Sequence, residues 1–202
     1  MTSLADLIHD DSTDIHTIAA HLEALSEADR IAAMDSLGRR AQRALYEKAA
    51  DAPPIEMSHF VPDASPLKPV HHKGRNTLPL PSRHRRFEKR FCRPEDGSDR
   101  LFGYNKAPST GLIGPGYFVA IPTTGKADWE ARGAIVVDYF QVPDAGVCGE
   151  WPDVVPNSKG LQYFVYKGTR DFMRRVSDSV SIGAAFKGEK ALDHYFTLCR
   201  VG

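Results

Sequence analysis

Residues 66–93 read PLKPVHHKGRNTLPLPSRHRRFEKRFCR and carry nine Lys or Arg residues against one acidic residue, in a 202-residue chain whose formal net charge is zero. On the N-terminal side, residues 1–56 hold eleven acidic and five basic residues, and their apolar positions recur at helical spacing. On the C-terminal side, residues 101–202 hold 15 of the 19 aromatic residues, in short runs separated by turn residues. The basic stretch therefore divides the chain into regions of different predicted structure.

We expect three regions: a helical N-terminal region 1–52, a Pro-rich basic strap with a short helix 53–100, and a β-rich domain 101–202. Prolines concentrated between positions 53 and 81 remove backbone donors and favour an extended strap over a paired strand. Within residues 82–93, Phe87 and Phe91 are four apart, which is the spacing of one helical face. The N-terminal helices carry few large apolar residues, so we expect them to pack on the β-rich region or on a second subunit.

The sequence of the β-rich region predicts six strands and one inserted helix. The helix is indicated at 169–180, where Phe172, Met173 and Val176 fall on one stripe after a capping Thr169. The strands are expected at 101–104, 117–121, 134–142, 161–166, 181–186 and 194–201. The predicted fold class is α+β: short N-terminal helices, the strap, and then a curved, mainly antiparallel sheet or half-open barrel.

Composition and motif searches exclude several classes of protein. No apolar run approaches the roughly 18 residues that span a bilayer, and the start of the chain lacks the basic and apolar segments of a signal peptide, so a cytoplasmic location is expected. Three widely spaced cysteines indicate reduced thiols rather than a disulfide framework. Nucleotide-binding loops, a nucleophile elbow and zinc or calcium motifs are missing from the sequence, so we expect no cofactor and no metal.

Two ionisable residues lie where catalysis could be placed. Asp138 is a carboxylate in the most apolar run, residues 135–140, and it needs a partner if its face of the strand is internal. His194 begins the last predicted strand, on the same face as Phe196 and Leu198. Either residue could act as a general acid or base, and either could instead have a structural role.

Two further sets of residues are candidates for binding. Aromatic, amide and cationic side chains of the C-terminal half could line a cavity and hold a polar head group: Tyr104, Asn105, Tyr139, Tyr163, Arg170 and Arg200. Cationic side chains of the basic stretch could bind an anion or an acidic partner: His71, His72, Arg75, Arg83, Arg86 and Arg90.

Three functions of different classes follow from these residues. The first, which we favour, is a domain that binds an anionic or amphipathic small molecule in an aromatic cavity. The second is a small, metal-independent enzyme that uses Asp138 and His194 as acid and base. The third is an interaction protein that binds acidic partners, or with less support nucleic acid, through Lys68 to Arg93. A homo-oligomer is compatible with all three.

Overall fold

A closed barrel of eight antiparallel strands forms the centre of the molecule. We describe it from a computed structural model that covers residues 2–63, 65–108 and 110–202. Each strand pairs with its neighbours in the chain, and the first strand also pairs with the last. The strands are β1 (Val70–Asn76), β2 (Arg86–Cys92), β3 (Leu101–Lys106), β4 (Tyr117–Pro122), β5 (Ile135–Asp138), β6 (Thr169–Arg175), β7 (Val180–Lys187) and β8 (Lys190–Val201).

The first four helices of the chain cover the outer face of the last two strands of the barrel. Ser3, Asp14 and Ser26 cap the first three helices by accepting backbone N–H bonds. Apolar side chains of the helices form one core with outward-facing residues of β7 and β8, such as Ile182 and Cys199. The helices therefore pack on the barrel of their own chain. They are α1 (Leu4–His9), α2 (Ile15–Glu23), α3 (Glu27–Ser36) and α4 (Arg39–Lys48).

Four shorter helices lie in the connections, and they are α5 (Met57–Phe60), α6 (Thr110–Ile113), α7 (Ala127–Glu130) and α8 (Gln162–Tyr166). The connections that carry α6 and α8 lie at the same end of the barrel, because β3 and β5 run in the same direction. We call this the open end. Among the residues that the structure describes, no helix is both long enough and apolar enough to cross a membrane.

Inside the barrel, several large aromatic side chains lie directly beside glycines of neighbouring strands. Along each strand every second residue points inward. A Cβ placed on Gly103 would lie 2.4 Å from the ring of Phe118, and one on Gly183 would lie 2.3 Å from the ring of Phe196. Aromatic rings thus occupy the space that the neighbouring glycines leave free, which is how a narrow barrel is filled without strain.

The other end of the barrel is closed by residues 55–61. Phe60 is fully buried there, and its ring centroid lies 4.8 Å from that of Phe91 and 5.7 Å from that of His72. The His72 Nε2 atom lies 3.0 Å from the carbonyl oxygen of Phe60. Because this closed end is packed with rings, a ligand has no route into the barrel from this side.

The α+β content predicted from the sequence is confirmed, but the sheet closes fully rather than remaining curved or half-open, and it has eight strands instead of six. Two of the strands lie in the segment expected to be an unpaired strap and a short helix. Pro69 and Pro79 flank β1 without entering it, so the proline content did not prevent pairing. The division of the chain into three regions, with boundaries at 52/53 and 100/101, stays a prediction.

Two elements were predicted with the wrong type. The helix expected at 169–180 is the strand β6, and the strand expected at 161–166 contains the helix α8. In β6, Asp171 and Met173 point inward and Phe172 points outward. The adjacent residues Phe172 and Met173 therefore lie on opposite faces of a strand and not on one face of a helix. All three cysteines are free thiols and buried, as expected.

Substituting Gly103 tests the filling of the barrel. Gly103→Ala should destabilise the protein by about 1–3 kcal/mol, because the new Cβ meets the Phe118 ring and, at 2.5 Å, the Arg90 carbonyl oxygen. Gly149→Ala is the matched control, since no atom lies within 4 Å of its added Cβ, and it should change stability by less than about 0.5 kcal/mol. Urea unfolding measures both values. Equal effects of the two substitutions would contradict the packing argument.

Acid should weaken the closed end through His72. Burial, followed by the charges of Arg200 and His71, lowers the pKa of His72 from 6.5 to about 4, with its bond to Phe60 opposing the shift. The unfolded chain therefore takes up a proton at higher pH than the folded chain, and stability is lost as pH falls from 6.5 towards 4. We expect the loss between pH 7 and pH 4.5 to be smaller by about 2 kcal/mol in His72→Gln than in the wild type. Unfolding free energies at the two pH values provide the comparison, and identical losses would contradict it.

Candidate functional site

A cavity of about 200 Å³ lies inside the barrel at its open end. Rings and aliphatic side chains form its wall, including Phe87, Tyr166, Leu192 and Phe196. Its floor is polar, because four buried side chains from four different strands or strand ends meet there: Lys89, Asn105, Tyr139 and Asp171. The cavity thus combines an apolar wall with one group of ionisable and amide side chains.

The ammonium group of Lys89 is the centre of this polar group. Its Nζ atom lies 3.1 Å from Asn105 Oδ1 and 3.1 Å from Asp171 Oδ2, and it also donates to the Tyr139 hydroxyl. A lysine ammonium has three donors, so these three oxygens account for all of them. The lysine side chain is 2% exposed. A charge this deeply buried requires the carboxylate beside it.

The three partners of Lys89 also bond to one another. Asn105 donates through Nδ2 to the Tyr139 hydroxyl at 2.9 Å and to the Gly116 carbonyl oxygen at 3.1 Å. The Tyr139 hydroxyl in turn donates to Asp171 Oδ2 at 3.3 Å. The tyrosine hydroxyl therefore uses its donor and both acceptor positions inside the network. Such mutual bonding fixes the side chains in one arrangement.

Aromatic rings surround the lysine nitrogen. The Nζ atom lies 4.8 Å from the ring centroid of Phe196, 4.9 Å from that of Phe118 and 4.9 Å from that of Tyr139. Cations at these distances are attracted to ring faces, and the attraction is larger in a dry site. The rings therefore favour a positive charge at this position, whatever group carries it.

Burial changes the proton affinity of each member of the pair. It lowers the pKa of Lys89 and raises the pKa of Asp171, while the attraction between the two groups opposes both shifts. Burial, together with the adjacent Asp171, raises the pKa of Tyr139 well above 10. The amine of Lys89 and the carboxylate of Asp171 would differ greatly in proton affinity in water. Burial in the barrel makes this difference smaller.

The helix α8 covers one side of the cavity. The ring of Tyr166 stacks on that of Tyr139 with a centroid distance of 5.2 Å and an interplanar angle of 19°. Gln162 holds the helix in place, because its Oε1 accepts a bond from the Gly116 N–H at 3.2 Å and its Nε2 donates to the Pro156 carbonyl. The opposite face of α8 is apolar and exposed, with Phe164 76% exposed.

The structure places the two predicted catalytic residues in different environments. His194 lines the mouth of the cavity, and burial followed by the charge of Arg39 lowers its pKa. Asp138 points away from the interior, where its Oδ1 lies 3.4 Å from Arg170 Nε and accepts a 2.9 Å bond from the Phe140 N–H. The two residues therefore do not share a site, and their role as an acid–base pair stays a prediction.

The predicted ligand-binding residues separate in the same way. Asn105 and Tyr139 belong to the cavity floor. The other four lie elsewhere: Tyr104 packs against Trp151 on the outside of the barrel, Arg170 pairs with Asp138, Arg200 donates to the His59 carbonyl at the closed end, and Tyr163 is exposed on α8. Strand alternation explains the split, since Tyr104 and Asn105 are adjacent and face opposite sides.

The six predicted anion-binding residues do not converge on one ligand position. Arg86 pairs with Asp35 of α3 at 2.6 Å, and Arg90 pairs with Glu88 at 2.9 Å. The remaining residues also have other surroundings: His72 lies inside the closed end, His71 is half-buried, Arg75 donates to Ser82, and Arg83 bonds to His84. Binding of an acidic partner or nucleic acid through this segment stays a prediction.

Sequence reasoning missed Lys89 and Asp171. Phe87, Lys89 and Phe91 alternate along β2 and all face the interior, so a period of two in the sequence marked the lysine as inward. That signal was masked by the helical spacing of the two phenylalanines and by the outward Glu88 and Arg90. Asp171 was similarly assigned to the first turn of a helix that does not form.

A larger groove of about 500 Å³ lies outside the barrel, beside α3. Its charged lining residues include Asp35, Arg86 and Glu88, which already take part in ion pairs with side chains of the protein. Across residues 2–63, 65–108 and 110–202, no group of three or more His, Cys, Asp or Glu side chains is arranged to hold a metal ion. The cavity at the open end is therefore the stronger candidate for a ligand site.

Removing the carboxylate tests the buried pair. Asp171→Asn should destabilise the protein by about 3–5 kcal/mol, since it leaves the Lys89 ammonium buried without a counter-charge. Adding Lys89→Met to this variant should recover much of the loss. The exposed pair of Asp63 and Lys68, at 2.7 Å, is the control, and Asp63→Asn should cost less than about 1 kcal/mol. Urea unfolding measures all three variants, and a double variant no more stable than Asp171→Asn would contradict this account.

No protein-family model matches the chain, and neither the curated proteins nor the solved structures contain a detectable match to it.

Proposed function

We propose that this protein binds a small molecule, with an apolar body and one polar group, in the cavity at the open end of the barrel. The observation that carries the proposal is the combination of a packed closed end with a ring-walled space above buried Lys89 and Asp171. Barrels of eight strands have an interior that is either filled by side chains or large enough for one small ligand. This barrel is filled at one end and hollow at the other.

The size and lining of the cavity define the class of ligand. A volume of about 200 Å³ is below the 300–1,000 Å³ typical of sites for drug-sized molecules, so the ligand is small. Phe87, Tyr166 and Phe196 offer ring surfaces for an apolar body. The charges of Lys89 and Asp171 compensate each other, which favours a ligand with a neutral polar group over an anion.

The mouth of the cavity provides a second, more accessible set of polar groups. Asn76, His84 and His194 line this part of the cavity; they come from the end of β1, the connection between β1 and β2, and the first half of β8, respectively. The polar floor and the polar mouth are separated by the rings of the wall. An amphipathic molecule can therefore place its apolar body against the rings while a polar group contacts one end.

Binding can be tested with a defined probe, the secondary alcohol obtained by reducing benzylacetone. This molecule has one ring, a short chain and a hydroxyl group, and it carries no charge. We expect saturable binding to the wild type by ligand-observed NMR, and loss of binding in Ala185→Phe. Ala185 lines the cavity and is paired in register with Asp171, so a ring at this position occupies the space proposed for the ligand.

Ala127→Phe is the matched control, because Ala127 is exposed on α7 and lies outside the cavity. It should bind the alcohol as the wild type does. Thermal unfolding of both variants checks that they are folded. Failure of the wild type to bind the alcohol, or equal binding by Ala185→Phe, would contradict a ligand site in this cavity.

A further inference from the structure

We propose that Lys89 forms a covalent imine with the carbonyl carbon of an aldehyde or ketone that enters the cavity. The proposal rests on the proposed function, since it names the chemical class of the ligand and the atom that holds it. Its basis is geometric: the one lysine nitrogen in the cavity floor lies 3.1 Å from a carboxylate and is surrounded by aromatic rings. A lysine amine in an apolar pocket is a recognised nucleophile towards carbonyl compounds.

The hydrogen-bond arrangement favours covalent over non-covalent capture. All three donors of the Lys89 ammonium are already directed at Asn105, Tyr139 and Asp171. A carbonyl oxygen that entered the cavity would find no free donor on the lysine. A carbon–nitrogen bond would attach the ligand at a fixed position without the need for a free hydrogen-bond donor.

The imine also keeps the charge that the site is built to hold. In its protonated form it is a cation at the position of the former ammonium, so it retains the carboxylate of Asp171 and the ring faces of Phe118 and Phe196. It has one N–H donor in place of three, and that donor can remain directed at Asp171 Oδ2. The exchange therefore leaves no buried charge without its partner.

The protons of the reaction can be supplied within the pair. Asp171 first accepts a proton from the Lys89 ammonium, and the resulting amine adds to the carbonyl carbon, breaking the carbon–oxygen π bond. The carboxylic acid gives its proton to the new alkoxide, and the carboxylate then removes a proton from the attached nitrogen.

Asp171 next protonates the hydroxyl group of the carbinolamine, which leaves as water as the carbon–nitrogen double bond forms. The ammonium and the carbonyl compound thus become a protonated imine and one water molecule, and Asp171 returns to its carboxylate form. No oxidant, reductant or additional proton is needed. The Tyr139 hydroxyl, 3.3 Å from Asp171 Oδ2, is placed to pass protons between the carboxyl group and the ligand oxygen.

The proton affinities described above support the first of these transfers. An exposed lysine, with a pKa of about 10.4, is a free amine to only about one part in 10³ at pH 7. Burial lowers the pKa of Lys89 and raises that of Asp171, so transfer between them is easier here than between the same groups in water. The barrel therefore makes a free amine more available at Lys89 than at surface lysines.

The experiment is reductive trapping of the full chain with benzylacetone and sodium cyanoborohydride at pH 7, followed by intact mass measurement and peptide mapping. A ketone is chosen because it reacts slowly with ordinary lysines. We expect one reduced adduct, located at Lys89, formed at least about tenfold faster than at any other lysine. An excess of the corresponding alcohol should slow its formation by competing for the cavity.

Two substitutions serve as controls. Lys89→Met should abolish the adduct, and Lys73→Arg, which replaces an exposed lysine of β1, should leave it unchanged. Tyr139→Phe should slow adduct formation while the alcohol still binds, if the hydroxyl passes protons. Because the mapping is done on the wild type, the result does not depend on whether Lys89→Met folds.

The outcomes separate this proposal from the proposed function. If the alcohol binds in the cavity but trapping does not modify Lys89, the imine is excluded and non-covalent binding stands. If neither the alcohol nor the ketone binds, both proposals are overturned. Adducts spread evenly over the lysines would also overturn the imine proposal, because they would show ordinary amine reactivity.

Discussion

The pairing of β1 with β8 is the constraint on which the rest of the structure depends. It turns eight strands into a closed wall and sets the width of the interior. Within that width a ring fits only opposite a residue without a side chain, as Phe118 fits against Gly103. Towards the closed end this matching fills the space completely. At the open end the inward residues are Lys89, Asn105, Tyr139 and Asp171, which bond to each other and leave a hollow above them.

The fold was predictable from the sequence where a strand has an apolar or aromatic side chain at nearly every position. The run 135–138 is such a strand. All four residues of β5 are buried, and Ile135 and Val137 belong to the core inside the barrel. Prediction failed for β1 and β2, whose outward positions are mostly charged and whose inward positions include His72, Gly74 and Lys89. Those residues have low strand propensity on their own, and tertiary closure decides their conformation.

The candidate site was predictable only in part, because its residues could be identified only where the strand that carries them was predicted. Asn105 and Tyr139 were identified because they lie in, or directly beside, strands that the sequence indicates clearly. Lys89 and Asp171 were not, because each was assigned to a helix, and a helix does not direct every second residue to one side. A buried ion pair also joins residues distant in the sequence, so neither residue has a local signal that points to the other.

The seam between the first and last strands has a consequence for how the molecule is made. Residues 71–76 cannot pair with residues 196–201 until that later segment has also left the ribosome. Until then β1 and β7 each present an unpaired edge, which is the kind of surface through which nascent chains associate wrongly. The helices α1 to α4 are synthesised before the barrel strands, but β7 and β8, on which they pack, are the last of those strands to be made. The packing of the helices and the closure of the barrel therefore occur together, after β8 has been made. A chain released before that point would expose unpaired strand edges and would be prone to aggregate.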